Sequence, residues 1–258
     1  MGIRIRRSPA SSTSPNGCLF LQNGFCERCT CRDCQAGFLI DEWREEERRH
    51  GFGSAPRECA CRDRARNRRH LRDSGLEKLA ERCTFERFET KEPWQQRMKQ
   101  TALEYLAHAR EAGFFISGQS GCGKTHLCTA VCGALMERGR RLRYFQWVRD
   151  GTRLKQLVSE RGEYESALRE LIDTPCLYLD DLFKQEITAA DIRLAYEILS
   201  ARWNEGRPTI ISSERSLKTI RAARDGDGEA IAGRIYESCD HGRFCLQLTG
   251  GDKDRRFA

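Results

Sequence analysis

At 258 residues the chain has room for one ordinary domain and a smaller companion, which excludes two full-sized enzymes. Hydrophobic residues make up 39% and charged residues 32%, the mean hydropathy is −0.68, and no run approaches the roughly 18 apolar residues of a membrane helix, so a membrane-spanning chain is excluded. Lys and Arg total 45 against 38 Asp and Glu, a formal +7, a balance that admits a polyanionic partner without requiring one.

The first residues, MGIRIRRSPASSTSPNG, hold no apolar stretch of about 7 residues that a secretory signal needs. Arg6 also breaks the Met-Gly-x-x-x-Ser/Thr pattern of myristoylation. A reducing, cytoplasmic location is expected, and the 14 cysteines are then core thiols, metal ligands or catalytic groups rather than disulfides.

In chain order, residues 1–17 read as a disordered tail rich in Ser, Pro and Arg. Residues 18–83 read as a cysteine-rich domain with a basic linker, for eight of the cysteines lie at or before Cys83. Cys26-x2-Cys29-x-Cys31-x2-Cys34 and Cys59-x-Cys61 offer short-spaced thiolate pairs from separate turns, as tetrahedral Zn²⁺ requires. Cys31, Cys34, Cys59 and Cys61 are the favoured ligands, since Gly37 and a strand-like Phe38-Leu39-Ile40 follow Cys34; Cys26 and Cys29 are a reserve pair. An iron–sulfur cluster and an unliganded, redox-active set are the alternatives. Between Arg57 and Arg72 seven arginines face two acids, either a contact for phosphates or an acidic protein surface, or a solvated linker helix.

From Thr84 to Ala258 short β-rich runs alternate with helical segments, the pattern of an α/β domain with a mostly parallel sheet. Strands are predicted at 113–117, 142–147, 176–180, 208–212 and 244–248. Helices are predicted at 93–111, 126–138, 163–172, 189–204 and 229–238. Tyr144, Phe145 and Trp147 read as core residues of a strand rather than as base-stacking groups. The remaining cysteines, Cys122 included, read as small buried residues or bystanders.

After the first of these strands comes Gly118-Gln119-Ser120-Gly121-Cys122-Gly123-Lys124-Thr125, a match to the phosphate-binding pattern G-x-x-x-x-G-K-[ST]. Its glycines permit backbone torsions that turn successive N–H groups inward, Lys124 supplies charge to the outer phosphates, and Thr125 supplies a hydroxyl to Mg²⁺. The helix that follows aims its positive end at the same anion. Downstream, the apolar run Leu177-Tyr178-Leu179 ends in Asp180 and Asp181, the Walker B arrangement: Asp180 to hold Mg²⁺ through water, Asp181 to polarise an attacking water.

With CRDCQAGFLID, CACR, Thr84-Phe85-Glu86-Arg87-Phe88, GFFISGQSGCGKTHL, RYFQWVRDGTRLKQL, LYLDDLF and SARWNEGRPTIISSE in this order, the chain resembles the DnaC-type helicase loaders of bacteria and phages, which are AAA+ ATPases. The resemblance runs from about Phe25 to Ala258. It implies a parallel five-stranded AAA+ P-loop NTPase sheet with a reduced lid, preceded by a small zinc-binding domain, with ATP, Mg²⁺ and Zn²⁺ as cofactors. It also implies ATP hydrolysis as a slow release switch, a hexameric replicative helicase and single-stranded DNA as partners, and ATP-dependent self-assembly. Ser212 and Ser213 fall where such ATPases sense the γ-phosphate. Glu214 stands where the family often has Asn, which leaves Ser213 as the expected sensor. Arg234 matches the first arginine of the segment that reaches a neighbouring subunit's nucleotide; Ser238 stands in place of the second. Arg256 is expected to contact phosphate in cis. A transposition helper ATPase shares this core but usually lacks the cysteine region. A small-molecule kinase would share only the phosphate loop, and a zinc-dependent nucleic-acid-binding regulator with a weak ATPase would fit Glu214 and Ser238.

Overall fold

A computed structural model describes residues 34–35, 38–39, 69, 72, 76–108, 111–138, 140–250 and 253–254. The chain divides into two compact units, 1–69 and 70–258. In the first, β1 (Cys34–Gln35) and β2 (Phe38–Leu39) form an antiparallel hairpin pairing Cys34 with Leu39. The other residues named as zinc ligands, Cys26, Cys29, Cys31, Cys59 and Cys61, lie outside the described residues.

The second unit is built on a five-stranded sheet. Its strands are β3 (Phe114–Ser117), β4 (Leu142–Gln146), β5 (Cys176–Leu182), β6 (Thr209–Ser213) and β7 (Cys245–Gln247), in the order β4-β5-β6-β3-β7 with every pairing parallel. All residues of β3 and β6 are buried, as expected of central parallel strands covered on both faces. The connecting helices are α1 (Leu76–Arg82), α2 (Pro93–His108), α3 (Lys124–Glu137), α4 (Trp147–Gln156), α5 (Arg161–Asp173), α6 (Ala189–Asn204), α7 (Leu217–Arg221) and α8 (Glu229–Ser238). In α3, Leu127, Cys128, Val131, Cys132 and Leu135 make the stripe that packs against the sheet. Among the described residues no helix follows β7, and none is long and apolar enough to cross a membrane.

α6 and α8 occupy the residues expected of them. α6 begins at a capping box in which Thr188 accepts from the Asp191 N–H and the Asp191 carboxylate accepts from the Thr188 N–H. Besides the five-residue α7, two helices are additional. Strand β4 stops at Gln146 and Trp147 opens α4, because the Asp150 carboxylate reaches back to accept the Gln146 N–H (2.9 Å) and caps a helix start.

The other, α1, lies inside the stretch expected to be cysteine domain and basic linker. Leu76 is fully buried in the sheet domain's core, α1 packs on α3, and the Thr84 carbonyl pairs with a His126 ring nitrogen (2.9 Å). The boundary thus moves from 83/84 to about residue 70: Leu76 and Leu79 give α1 an apolar edge that the charge count hid.

Arg202 ties the far end of the sheet together. Fully buried, it donates to the carbonyls of Leu171, Ile172, Thr174 and Pro208 and to the Thr209 hydroxyl. Burial lowers its guanidinium from the ordinary value to about 10. Five oxygen acceptors, two of them on the last turn of α5, satisfy the charge in place of a carboxylate.

Candidate active site

The carboxyl ends of β3, β5 and β6 converge, which is where parallel sheets of this kind bind ligands. From β3 the chain enters the phosphate loop with Gly121 (φ 80°) and Gly123 (φ 95°) in the left-handed region, a region that glycine enters without penalty. A side chain at Gly118 would meet Leu248 at 2.9 Å and the Cys122 thiol at 3.3 Å. The loop is therefore closed from behind at Gly118, whose N–H donates to the Ser213 carbonyl (3.2 Å) and ties the loop to β6. Gly123 caps α3 and offers no side chain to the first-turn N–H groups, the arrangement in which an anion takes the cap's place.

Lys124 is buried, and its ammonium donates to the carbonyls of Gly118 and Gln119 at 2.9 Å each. These contacts hold the charge at the lip of the loop. Leu248 N–H donates to Ser117, and the Lys253 N–H donates to Gln119 Oε1 (3.0 Å), so the segment after β7 returns to the loop. Arg256, beyond it, lies outside the described residues. Cys122 is buried, Gln119 is exposed, and Ser120 and Gly121 are half-buried.

Opposite stands Asp180, itself buried, with an unusual number of donors. Its Oδ1 accepts from Tyr178 (2.7 Å), Ser212 (2.6 Å) and Thr125 (3.3 Å), and its Oδ2 accepts from Tyr144 (2.9 Å). Strand register brings these together: Tyr144 pairs with Tyr178, and Gln146 with Asp180. Burial first, then the Asp180 charge, push the Tyr144 hydroxyl far above its ordinary value, so it stays a donor. Thr125 and Asp180 present adjacent oxygens of the kind that would hold Mg²⁺, Thr125 by its hydroxyl and Asp180 through water, where the cation would neutralise phosphate charge. The residues present fit the metal.

Immediately after Asp180 the chain makes a tight turn. Asp181 (φ 57°) and Phe183 (φ 58°) are both left-handed, a conformation costing about 1–3 kcal/mol apiece outside glycine. The tail of β6 holds the turn residue by residue. Ser212 Oγ accepts the Asp181 N–H (2.9 Å), Ser213 Oγ donates to the Leu182 carbonyl (2.6 Å), and Arg215 Nε donates to the Phe183 carbonyl (3.4 Å). Ser213 also accepts the Arg215 N–H (3.0 Å) and is fully buried. Its only proton goes to a backbone carbonyl, so the phosphate-sensing role expected of Ser213 gives way to a clamping one. Asp181 points its carboxylate at Lys184 (2.6 Å), and the same ammonium stands 3.9 Å from Glu214.

Arg234 is not part of this group. It lies on α8, donates to Ser200 on α6 (2.7 Å) and covers the rings of Trp203 (4.8 Å) and Tyr196 (5.7 Å). The residues missed by sequence reading are Tyr144, taken as core alone, Tyr178 and Lys184; only the hydroxyl of Tyr178, two positions before Asp180 on the same strand face, was there to be noticed.

Residues 55–245 match the family described as IstB-like ATP binding protein. The chain belongs to that family. Among the relatives of this IstB-like chain, the phage-like element PBSX protein XkdC of Bacillus subtilis is 28% identical over 224 residues, 81% of this chain and 78% of that one. A putative ATP-binding protein in an insertion sequence, Rv3427c of Mycobacterium tuberculosis, is 32% identical over 62% of both chains. The replicative helicase loader DnaC of Escherichia coli is 25% identical over 57% of this chain and 61% of its own. Among solved structures, the DnaC helicase loader superposes with a TM-score of 0.57 at 26% identity, covering 65% of this chain and 97% of that one. The IstB-like fold here is thus the AAA+ P-loop architecture of an ATP-binding family.

Proposed function

We propose that this chain is an ATP-hydrolysing loader that delivers a hexameric replicative helicase to single-stranded DNA in the cytoplasm, assembling with further copies when ATP is bound. The observation that carries this reading is the likeness to the DnaC helicase loader, which spans nearly the whole of that solved chain. The match to a phage-element protein over most of both chains supports it.

Mg-ATP supplies a phosphoryl group and the charge that has to be neutralised during its transfer. The loop N–H groups and Lys124 bind and orient the phosphates; Thr125 and Asp180 hold the cation's side of the site. Asp181 positions water and takes its proton, and Tyr144, Tyr178 and Ser212 hold the Asp180 carboxylate in place. Positioning and charge, not covalent chemistry, do the catalysis. Cys31, Cys34, Cys59 and Cys61 bind one structural zinc in the amino-terminal unit, which is the surface for the helicase.

A second reading, a helper ATPase of transposition, is favoured by one observation: the insertion-sequence relative has the higher local identity. Two measurements test these readings, the first the mechanism they share and the second the partner that divides them. Lys124→Ala is expected to abolish ATP binding, and unchanged binding would remove the phosphate-loop mechanism. The full chain, carrying about one zinc by metal analysis, is expected to capture a purified replicative helicase. Capture of a transposase instead, by the same zinc-loaded chain, establishes the second reading.

A further inference from the structure

The tail of β6 contains one polar side chain that does not touch the backbone of the turn it clamps. Ser212, Ser213 and Arg215 bind residues 181–183 in succession, whereas Glu214 faces Lys184. An acid at this spot is chemically odd. Burial first, and the Glu214 charge among the lesser causes, push the Cys122 thiol of the phosphate loop up, so Glu214 stands within electrostatic reach of a loop built to receive anions. Left alone, it would oppose a phosphate.

It is not alone. Lys184 closes the turn twice, its N–H donating to the Asp181 carbonyl (3.1 Å) and its ammonium to the Asp181 carboxylate (2.6 Å). The side chain is 42% exposed, against 15% for Asp181 and 28% for Glu214. One half-exposed cation thus sits between two carboxylates that are better covered, beside the acid assigned to the attacking water. While Lys184 holds Asp181, the Oδ2 it occupies is not offered to water. The two left-handed residues show that the backbone is held in a costly shape to bring Lys184 back over Asp181.

We propose that Lys184, seated between Asp181 and Glu214, is the group that recognises the third phosphate of ATP, and that its move to that phosphate releases Asp181 to act on water. A terminal phosphate carries more negative charge than a carboxylate and competes for the ammonium; ADP has no group at that place. Glu214 keeps the lysine at the mouth of the loop once it leaves Asp181, and this accounts for an acid where a neutral hydrogen-bond donor would otherwise be expected. The inference rests on the site being one for ATP.

The test is equilibrium binding of ATP and of ADP, each with Mg²⁺, to the full chain. The wild type is expected to prefer ATP. Lys184→Met is expected to weaken ATP about tenfold or more, the value of a charged hydrogen bond, with ADP changed less than about twofold. Lys184→Arg is expected to keep most of the preference. An ATP-to-ADP ratio untouched by Lys184→Met, an equal loss for both nucleotides, or a loss in Lys184→Arg as large as in Lys184→Met would each overturn the proposal. Binding of neither nucleotide by the wild type would instead strike the ATP reading itself. Because Lys184 is exposed, thermal unfolding of the variants is expected to match the wild type.

Discussion

A carboxylate removed from water is costly unless hydrogen bonds replace its hydration. Asp180 meets that requirement with four hydroxyls, from β4, β5, β6 and the start of α3. Each hydroxyl fixes part of its orientation, so the group awaits the cation without reorganising. Tyr178→Phe removes one donor at a fully buried position. It is expected to lower stability by about 1–3 kcal/mol in urea denaturation. It should also weaken nucleotide binding more in the presence of Mg²⁺ than in EDTA. Equal weakening in both would show that Tyr178 supports packing alone. Asp180 was legible from the sequence as a strand-ending acid. The contribution of Tyr144 was not, because a hydroxyl 36 residues away reaches it only through the β4/β5 register.

At the scale of elements, end signals decided what could be foreseen. α6 occupies the residues expected of it, and Thr188 and Asp191 fix its start. α4 was missed because Tyr144, Phe145 and Trp147 alternate like a strand, and the cap that breaks the strand is a carboxylate three residues beyond Trp147. The start of α6 also yields a pH dependence. Burial opposes ionisation of Asp191, but the Lys155 ammonium at 2.7 Å and the Thr188 hydroxyl and N–H outweigh it and hold the carboxyl below its ordinary 3.8. An acid of this kind stabilises the fold above its unfolded pKa, and the contribution is lost as pH falls through the folded one. The stability of Asp191→Asn is therefore expected to fall less steeply than that of the wild type as pH drops below 3.8, as followed by denaturation midpoints. Parallel curves would remove Asp191 from the acid response. Between β5 and β6 the shared turn was illegible for another reason. Nothing in LYLDDLFK marks Asp181 and Phe183 as left-handed, since the clamps come from residues 212–215.

For the molecule as a whole, the alternation of β-rich and helical runs was enough to foresee a parallel α/β unit of five strands. Its amino-terminal limit was misplaced because arginines dominate the composition before residue 72. Leu76 corrects this: a fully buried leucine on a short helix belongs to the core it enters, whatever charges surround it. Leu76→Ala is expected to destabilise the nucleotide-binding unit by about 2–5 kcal/mol, measured as a lower urea midpoint of the transition that bound ATP shifts. A loss confined to a transition that ATP does not shift would return α1 to the amino-terminal unit.

The thiols of this unit have a use that follows from their depth. Cys128, Cys132, Cys176 and Cys239 are fully buried, and burial first of all pushes each thiol up, Cys176 to about 11. Alkylating reagents attack thiolates they can reach, so these four remain silent until the sheet and its helices part. Their labelling then keeps time for rare openings of the native unit, without any introduced probe. A nucleotide that binds only the closed form slows that clock in proportion to its occupancy.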